Sequence, residues 1–157
     1  MESPLEPALI DLTKDPSSFF ALLPEDWRND IYPEWPNYEN NSKIFGVKLE
    51  HEIVGGGIVF GKISPDTQAY ALEAQKLFEA GMHYFGFLWI DPVHRGKELG
   101  SYWIGEVKKK IQKPLWLSIE EKGLQPFYER NGFKIYKTVH VDEITEWMMI
   151  SKESDLF

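Results

Sequence analysis

The sequence predicts one α/β (α+β) domain, residues 1–157, built on a mixed sheet of about seven strands flanked by helices. Three observations lead there. Apolar runs of strand length alternate with segments of helical period along the chain. Turn residues separate them, with no internal repeat and no low-complexity tract. Finally, 157 residues with 43% hydrophobic and 15% aromatic content are enough for one sizeable core.

The elements follow in order. "PALIDLT" reads as a short strand. "DPSSFFALLPEDWRND" reads as one or two short helices, with Asp15 as cap and Pro16 in the first turn. "IYPEWPNYENNS" is irregular, because its prolines and asparagines break both periods. "KIFGVKLEHEIVGGGIVFGKI" has a hairpin pattern with its turn near Glu50–His51. Gly55, Gly56 and Gly57 inside its second strand point to a bulge or a close backbone approach. "SPDTQAYALEAQKLFEAG" reads as a helix capped by Ser64, with Pro65 first and Gly81 as stop. "MHYFGFLWI" is a buried strand. From Leu99, the apolar residues Trp103, Val107 and Ile111 recur every four positions, Ile104 widens the stripe, and Pro114 ends the helix. "PLWLSIE" is another buried strand. "LQPFYERNGF" is a short helix closed by Asn131-Gly132, and "FKIYKTVHV" with "TEWMMISK" makes a last antiparallel pair.

Composition narrows the function. With no cysteine, the chain has neither disulfides nor a Cys nucleophile, and no metal site is expected. The start has no basic, apolar signal pattern, and no apolar stretch reaches the roughly 18 residues of a membrane span, so a cytoplasmic protein without membrane contact is expected. Charge is uneven: residues 1–90 hold fourteen acids and six bases, whereas residues 91–157 are balanced. Such acidity disfavours nucleic acid and favours a cationic partner, unless it serves solubility alone.

Chemistry concentrates in "IDPVHRGKELGS", residues 90–101, which joins a buried strand to a helix start. A helix N-terminus presents unpaired N–H groups and partial positive charge, a ready phosphate site. Gly96 and Gly100 admit a ligand close to the backbone, and Arg95 and Lys97 add charge. Neither the P-loop nor the dinucleotide fingerprint is present.

Two separated motifs carry a resemblance. "WIDPVHRGKELGS" is similar, at Arg95 and Gly100, to the Arg/Gln-x-x-Gly-x-Gly/Ala loop of the GNAT superfamily of N-acetyltransferases. "PFYERNGF" is similar to its Phe-Tyr-Glu-x-x-Gly-Phe segment. The resemblance implies a mostly antiparallel GNAT-like sheet, with the helix near 65–80 as an addition. It implies acetyl-CoA as cofactor, its pyrophosphate held by Arg95, Gly96, Lys97, Glu98, Leu99, Gly100 and Ser101. Leu88, Trp89 and Ile90 would run beside the pantetheine, with the Leu88 N–H facing the thioester carbonyl. Tyr128 matches the family's general acid; its plainer reading is a ring packed on the sheet.

Two positions depart from the pattern. Glu98 replaces the motif's first glycine. A carboxylate about 6 Å from a phosphate costs roughly 0.7 kcal/mol at ε ≈ 80 and about 3 kcal/mol at ε ≈ 20, so exposure decides the outcome. An outward-pointing Glu98 is expected, since a first helical turn accepts acids. Glu121 stands where many members carry an asparagine that touches the pantetheine.

The position of the glutamate base found in some members is Tyr84, a poor base at neutral pH, with His83 beside it. Glu52, His51, Asp142 and Glu143 are further candidates, each also readable as a surface group. Without a strong base, activity is expected to rise with pH towards the amine's own pKa. For the acceptor, a primary amine of a small molecule or peptide, the residues singled out are Tyr32, Glu34, Trp35 and Tyr84, aromatic faces and acids suited to an ammonium. The helix near 65–80 would shape the acceptor entrance or a homodimer contact. The alternative is a degenerate fold serving as a non-catalytic CoA-binding or interaction module, which Glu98, Glu121 and the absent base favour.

Overall fold

The computed structural model describes residues 6–151. Strand β1 (Pro7–Asp11) is followed by helices α1 (Pro16–Phe20) and α2 (Glu25–Ile31) and the hairpin β2 (Ser42–Leu49) and β3 (Glu52–Phe60). A 3-10 segment (Pro65–Tyr70) leads into α3 (Ala71–Glu79), then β4 (His83–Ile90), α4 (Leu99–Ile111), β5 (Leu115–Ile119), α5 (Gln125–Arg130), β6 (Phe133–Val141) and β7 (Ile144–Ser151). One seven-stranded sheet has the order β1-β2-β3-β4-β5-β7-β6. Every neighbouring pair is antiparallel except β4–β5. This is the mixed, mostly antiparallel α+β architecture that the sequence predicts.

Two local expectations are revised. The segment expected to be one helix over 65–80 starts as a 3-10 turn and becomes α-helical only from Ala71. Ser64 and Thr67 cap each other reciprocally, and Tyr70, at the junction, has φ −129, outside the helical range. Asp15 does stand before α1, but its carboxylate accepts the Ser18 hydroxyl at 2.6 Å rather than a backbone N–H.

The sheet has a core on each face. On one, Phe19, Phe20, Ile31, Phe60, Tyr84 and Trp116 pack with α1, α2 and the 3-10 segment. On the other, Phe85, Trp103, Val107, Leu117 and Phe133 form the bed of α4 and α5. The fourfold apolar spacing from Leu99 buries Leu99, Trp103, Ile104 and Val107. Trp103 is fully buried, and its Nε1 donates to Phe45 O at 2.9 Å.

The three glycines make these contacts possible. A Cβ on Gly56 would lie 2.6 Å from Phe45 O, and one on Gly57 would lie 2.7 Å from Trp103 Cζ2. Val54 is the extra residue of a bulge in β3, since Val47 pairs with Gly55 and Lys48 with Ile53. A second irregularity lies across the ladder in β4. Gly56 pairs with Trp89 and Ile58 with Gly86, so Phe87 and Leu88 oppose Gly57 alone. Phe87 takes φ +57 there, a conformation a large side chain holds only when its surroundings enforce it.

Candidate active site

Past the bulge, β4 and β5 separate. They pair only at His83–Leu115 and Tyr84–Trp116. Beyond those rungs a cavity of about 380 Å³ opens between them. On the α4 face its walls are Leu88, Leu117, Ile119 and Tyr128; on the other face they are Trp27, Asp30, Asp66, Tyr84, Ser118 and Glu146. The opening therefore reaches through the sheet. Glu120 and Glu121 add two more carboxylates, and among the described residues no lysine, arginine or histidine lines it.

Two hydrogen-bonded groups hold the acidic wall. Tyr84 donates its hydroxyl to Asp66 Oδ2, and Ser64 donates to Asp66 Oδ1. Asp66 is brought there by the 3-10 segment, so the inserted element forms a wall of the cavity. Burial raises the Asp66 carboxyl above its ordinary pKa and drives the Tyr84 phenol well above its own. In the second group, Tyr70 Oη and Ser118 Oγ are 2.6 Å apart, and Ser118 Oγ lies 3.5 Å from Glu146 Oε1. Burial, with Glu120 and Asp66 nearby, pushes Glu146 up to about 7.

Tyr128 stands on the opposite face. Its ring packs against Phe85, Phe127 and Phe133. Burial pushes its hydroxyl up to about 12, so it stays protonated at neutral pH. Among the described residues, no group hydrogen-bonds that hydroxyl.

The loop before α4 is tied down at both ends and leaves several amides without intrahelical partners. Asp91 N donates to Val54 O at 2.8 Å, and the Asp91 carboxylate caps a 3-10 turn by accepting Val93 N at 3.1 Å. Arg95 stacks on Trp89, 4.4 Å from the ring centroid, and its Nε donates to Ile90 O at 2.9 Å. Gly96 has φ +84 with open space where a Cβ would be. Lys97 Nζ lies 3.3 Å from His94 Nδ1. Tyr102 N is the first amide of α4 to donate along the helix, to Glu98 O, which leaves Leu99, Gly100 and Ser101 with N–H groups free of intrahelical partners. A Cβ on Gly100 would meet Phe127 Cζ at 3.1 Å, so that glycine lets α5 close onto the start of α4. Glu98 is exposed, as the charge argument requires, but takes φ +62, the left-handed region favoured by the glycine it replaces.

The remaining expected residues are divided. Glu121 is at the cavity rim, at the start of a 3-10 turn. Of the acceptor residues, only Tyr84 lines the cavity. Trp35 is core, edge-on to Phe20; Tyr32 packs on that same ring, and Glu34 holds the Asn37 amide at 3.0 Å. The acceptor segment reaches the cavity through Trp27 and Asp30 instead. His51, Glu52, Asp142 and Glu143 occupy hairpin ends and face solvent. His83 is partly buried at the closed rung with Leu115, and burial lowers its pKa. Asp66, Ser118, Glu120 and Glu146 escape sequence reasoning altogether. The faint trace was Asp66 inside a capping sequence and Glu146 in alternation on the last strand.

A sequence profile described as "Acetyltransferase (GNAT) family" matches residues 8–133. A search of curated proteins found no match. Solved structures share the fold. An aminoglycoside 6'-N-acetyltransferase complexed with coenzyme A aligns with TM-score 0.68 at 11% identity, over 92% of this chain and 96% of that one. A GNAT family acetyltransferase from Elizabethkingia anophelis with acetyl-CoA bound gives 0.64 at 11% identity, over 92% and 97%. The PaiA N-acetyltransferase from Thermoplasma acidophilum, in complex with coenzyme A, gives 0.62 at 14%, over 94% and 99%. Among the described residues, no helix is long and apolar enough to cross a membrane. With the profile spanning most of the chain and the split sheet, loop and tyrosine arranged as described, this protein is an acetyltransferase of the GNAT family.

Proposed function

We infer that the protein moves an acetyl group from acetyl-CoA to a primary amine of a small molecule or peptide by direct attack. The observation that carries this reading is the cavity between β4 and β5, which has Tyr128 and Leu88 on one face and, on the other, a wall whose charged groups are all carboxylates. The loop residues fit the pyrophosphate: free amides at Leu99, Gly100 and Ser101, an open Gly96, and Arg95 and Lys97 beside them. That neighbours of the same fold were solved with coenzyme A or acetyl-CoA agrees with the fit.

Acetyl-CoA supplies a thioester carbonyl open to attack and a thiolate as leaving group. The chain supplies the rest. The bulge takes Phe87 and Leu88 out of the β3 ladder, so the Leu88 N–H is available to a carbonyl oxygen gaining negative charge. Tyr128 keeps its proton at neutral pH and has no protein acceptor for it, as suits a group that protonates a departing thiolate. The carboxylates of Asp30, Glu120, Glu121 and Glu146 attract and orient an ammonium.

Calorimetry with acetyl-CoA, followed by thiol release with a panel of amines, amino acids and peptides, tests the reading. Micromolar to millimolar binding and thiol release with a primary amine are expected. Binding without release from any amine would favour the non-catalytic CoA-binding module, to which the strained, acidic Glu98 also points. Absence of binding at millimolar ligand would defeat both readings.

A further inference from the structure

Resting on the reading that an amine meets a thioester in this cavity, we propose that Glu146 is the general base for the acceptor's ammonium, with Ser118 and Tyr70 as its positioning residues. Five carboxylates line the cavity. Both oxygens of Asp66 are engaged, by Ser64 and Tyr84. Among the described residues, no side chain donates a hydrogen bond to Asp30, Glu120 or Glu121. Glu146 is half-buried, with one oxygen 3.5 Å from Ser118 Oγ; its second oxygen accepts no hydrogen bond among the described residues, and the side chain borders the cavity.

The anchor is set by the sheet. Ser118 pairs with Met148, so Glu146, two residues away on β7, projects from the same face. Tyr70 completes the chain of hydroxyls from the 3-10 segment. The charges facing Glu146 are all negative: Glu120 beyond the end of β5 and Asp66 from the 3-10 segment. On β6 its partner Val139 is neutral, His140 beside it meets Thr145, and Lys137 is engaged with Glu73 at 3.0 Å. Burial and these like charges hold Glu146 at about 7, where a base is half ionised under working conditions and still strong enough to take a proton.

In the step assigned to it, an N–H bond of the ammonium breaks as an O–H bond forms on the free Glu146 oxygen. The amine keeps its lone pair and becomes neutral, the carboxyl becomes neutral, and water later removes the proton. On this assignment activity reaches a plateau starting near pH 7, in place of a rise towards the amine's own pKa.

The test uses the intact protein and the best primary amine from the panel. Glu146→Gln should lower kcat at pH 7 by roughly a hundredfold and abolish the plateau, with acetyl-CoA affinity by calorimetry unchanged. Ser118→Ala should move the plateau midpoint upward, a change that a purely structural role would not produce. Carbon NMR of protein labelled at glutamate carboxyls should show one resonance titrating near 7 that disappears in Glu146→Gln. If the wild type transfers acetyl and Glu146→Gln retains its plateau, or if no glutamate titrates near 7, the base assignment falls while the transferase reading stands. If the wild type acetylates no amine, the transferase reading fails and the assignment falls with it.

Discussion

Tyr84 donates its phenolic hydrogen to Asp66, which lies 18 residues away in sequence. Two expectations meet in that contact. The tyrosine occupies the position where some relatives carry a basic carboxylate, and the carboxylate beside it arrives on an inserted segment. Removing the donor leaves the Asp66 carboxylate with one partner fewer. Tyr84→Phe should therefore destabilise the fold by about 1–3 kcal/mol in urea unfolding. The deficit should shrink as pH falls and Asp66 becomes protonated, since only the ionised form depends on both donors. Equal deficits at pH 5 and pH 8 would show that the hydrogen bond contributes nothing to holding the charge.

Tyr128 provides the contrast. Its hydroxyl has no partner among the described residues, while its ring touches three others. Tyr128→Phe should leave stability within about 0.5 kcal/mol of wild type and lower turnover by roughly tenfold to a thousandfold, with acetyl-CoA affinity retained. Normal turnover would move the acid role to another group or to water.

Glu98 combines an exposed charge with a left-handed backbone. Glu98→Gly removes about 1–2 kcal/mol of strain, less roughly 0.5–1 kcal/mol of extra chain entropy, for a small net gain in stability. It also removes a like charge near the phosphates, tightening acetyl-CoA binding about threefold at low salt. Calorimetry at two ionic strengths checks the second effect, which should fade at 1 M salt, where the Debye length is about 3 Å.

Gly57 is set by the indole above it. A methyl group there would fall 2.7 Å from Trp103 Cζ2, and Trp103 is anchored to Phe45 O. Gly57→Ala should cost about 1–3 kcal/mol, read from the urea midpoint, by pushing the indole off its acceptor. A neutral result would mean that α4 can slide on the sheet.

Glu146 should also be visible in stability alone. Its folded pKa is raised to about 7 from the carboxylate range, so the native state binds more protons than the unfolded chain between those values. Stability must then fall as pH rises through that window. Glu146→Gln lacks this dependence. Its melting temperature should match the wild type's near pH 4 and exceed it near pH 8, a comparison in which Asp66's own contribution cancels. Curves that run parallel from pH 4 to 8 would place the Glu146 carboxyl in ordinary solvent.

Much of the scaffold could be read from local rules. Period-four apolar spacing marked α4, alternation and turn residues marked the hairpins, and three adjacent glycines marked the close approach that turned out to serve Trp103 and the β4 bulge. The positions of the loop 90–101, before a helix, and of Tyr128, on a short helix, were legible because each sits in a short patterned stretch. The acidic wall was not. Asp30, Asp66 and Glu146 come from α2, the 3-10 segment and β7, and only the folded sheet brings them together. In one sequence each looks like any of the chain's 25 acids. Tyr32 and Trp35 misled for a related reason: aromatics beside acids suit an ammonium, yet both rings are used to grip Phe20.

The short parallel contact between β4 and β5 also has a mechanical meaning. Two rungs, at His83–Leu115 and Tyr84–Trp116, stitch the β1–β4 panel to the β5–β7–β6 panel, and above them the backbones are unlaced. A molecule lodged in the gap becomes a strut between the panels, so occupancy and rigidity rise together. Amide exchange along Phe85–Ile90 and Leu117–Ile119 should then slow in concert on binding, although no rung is added to the seam itself.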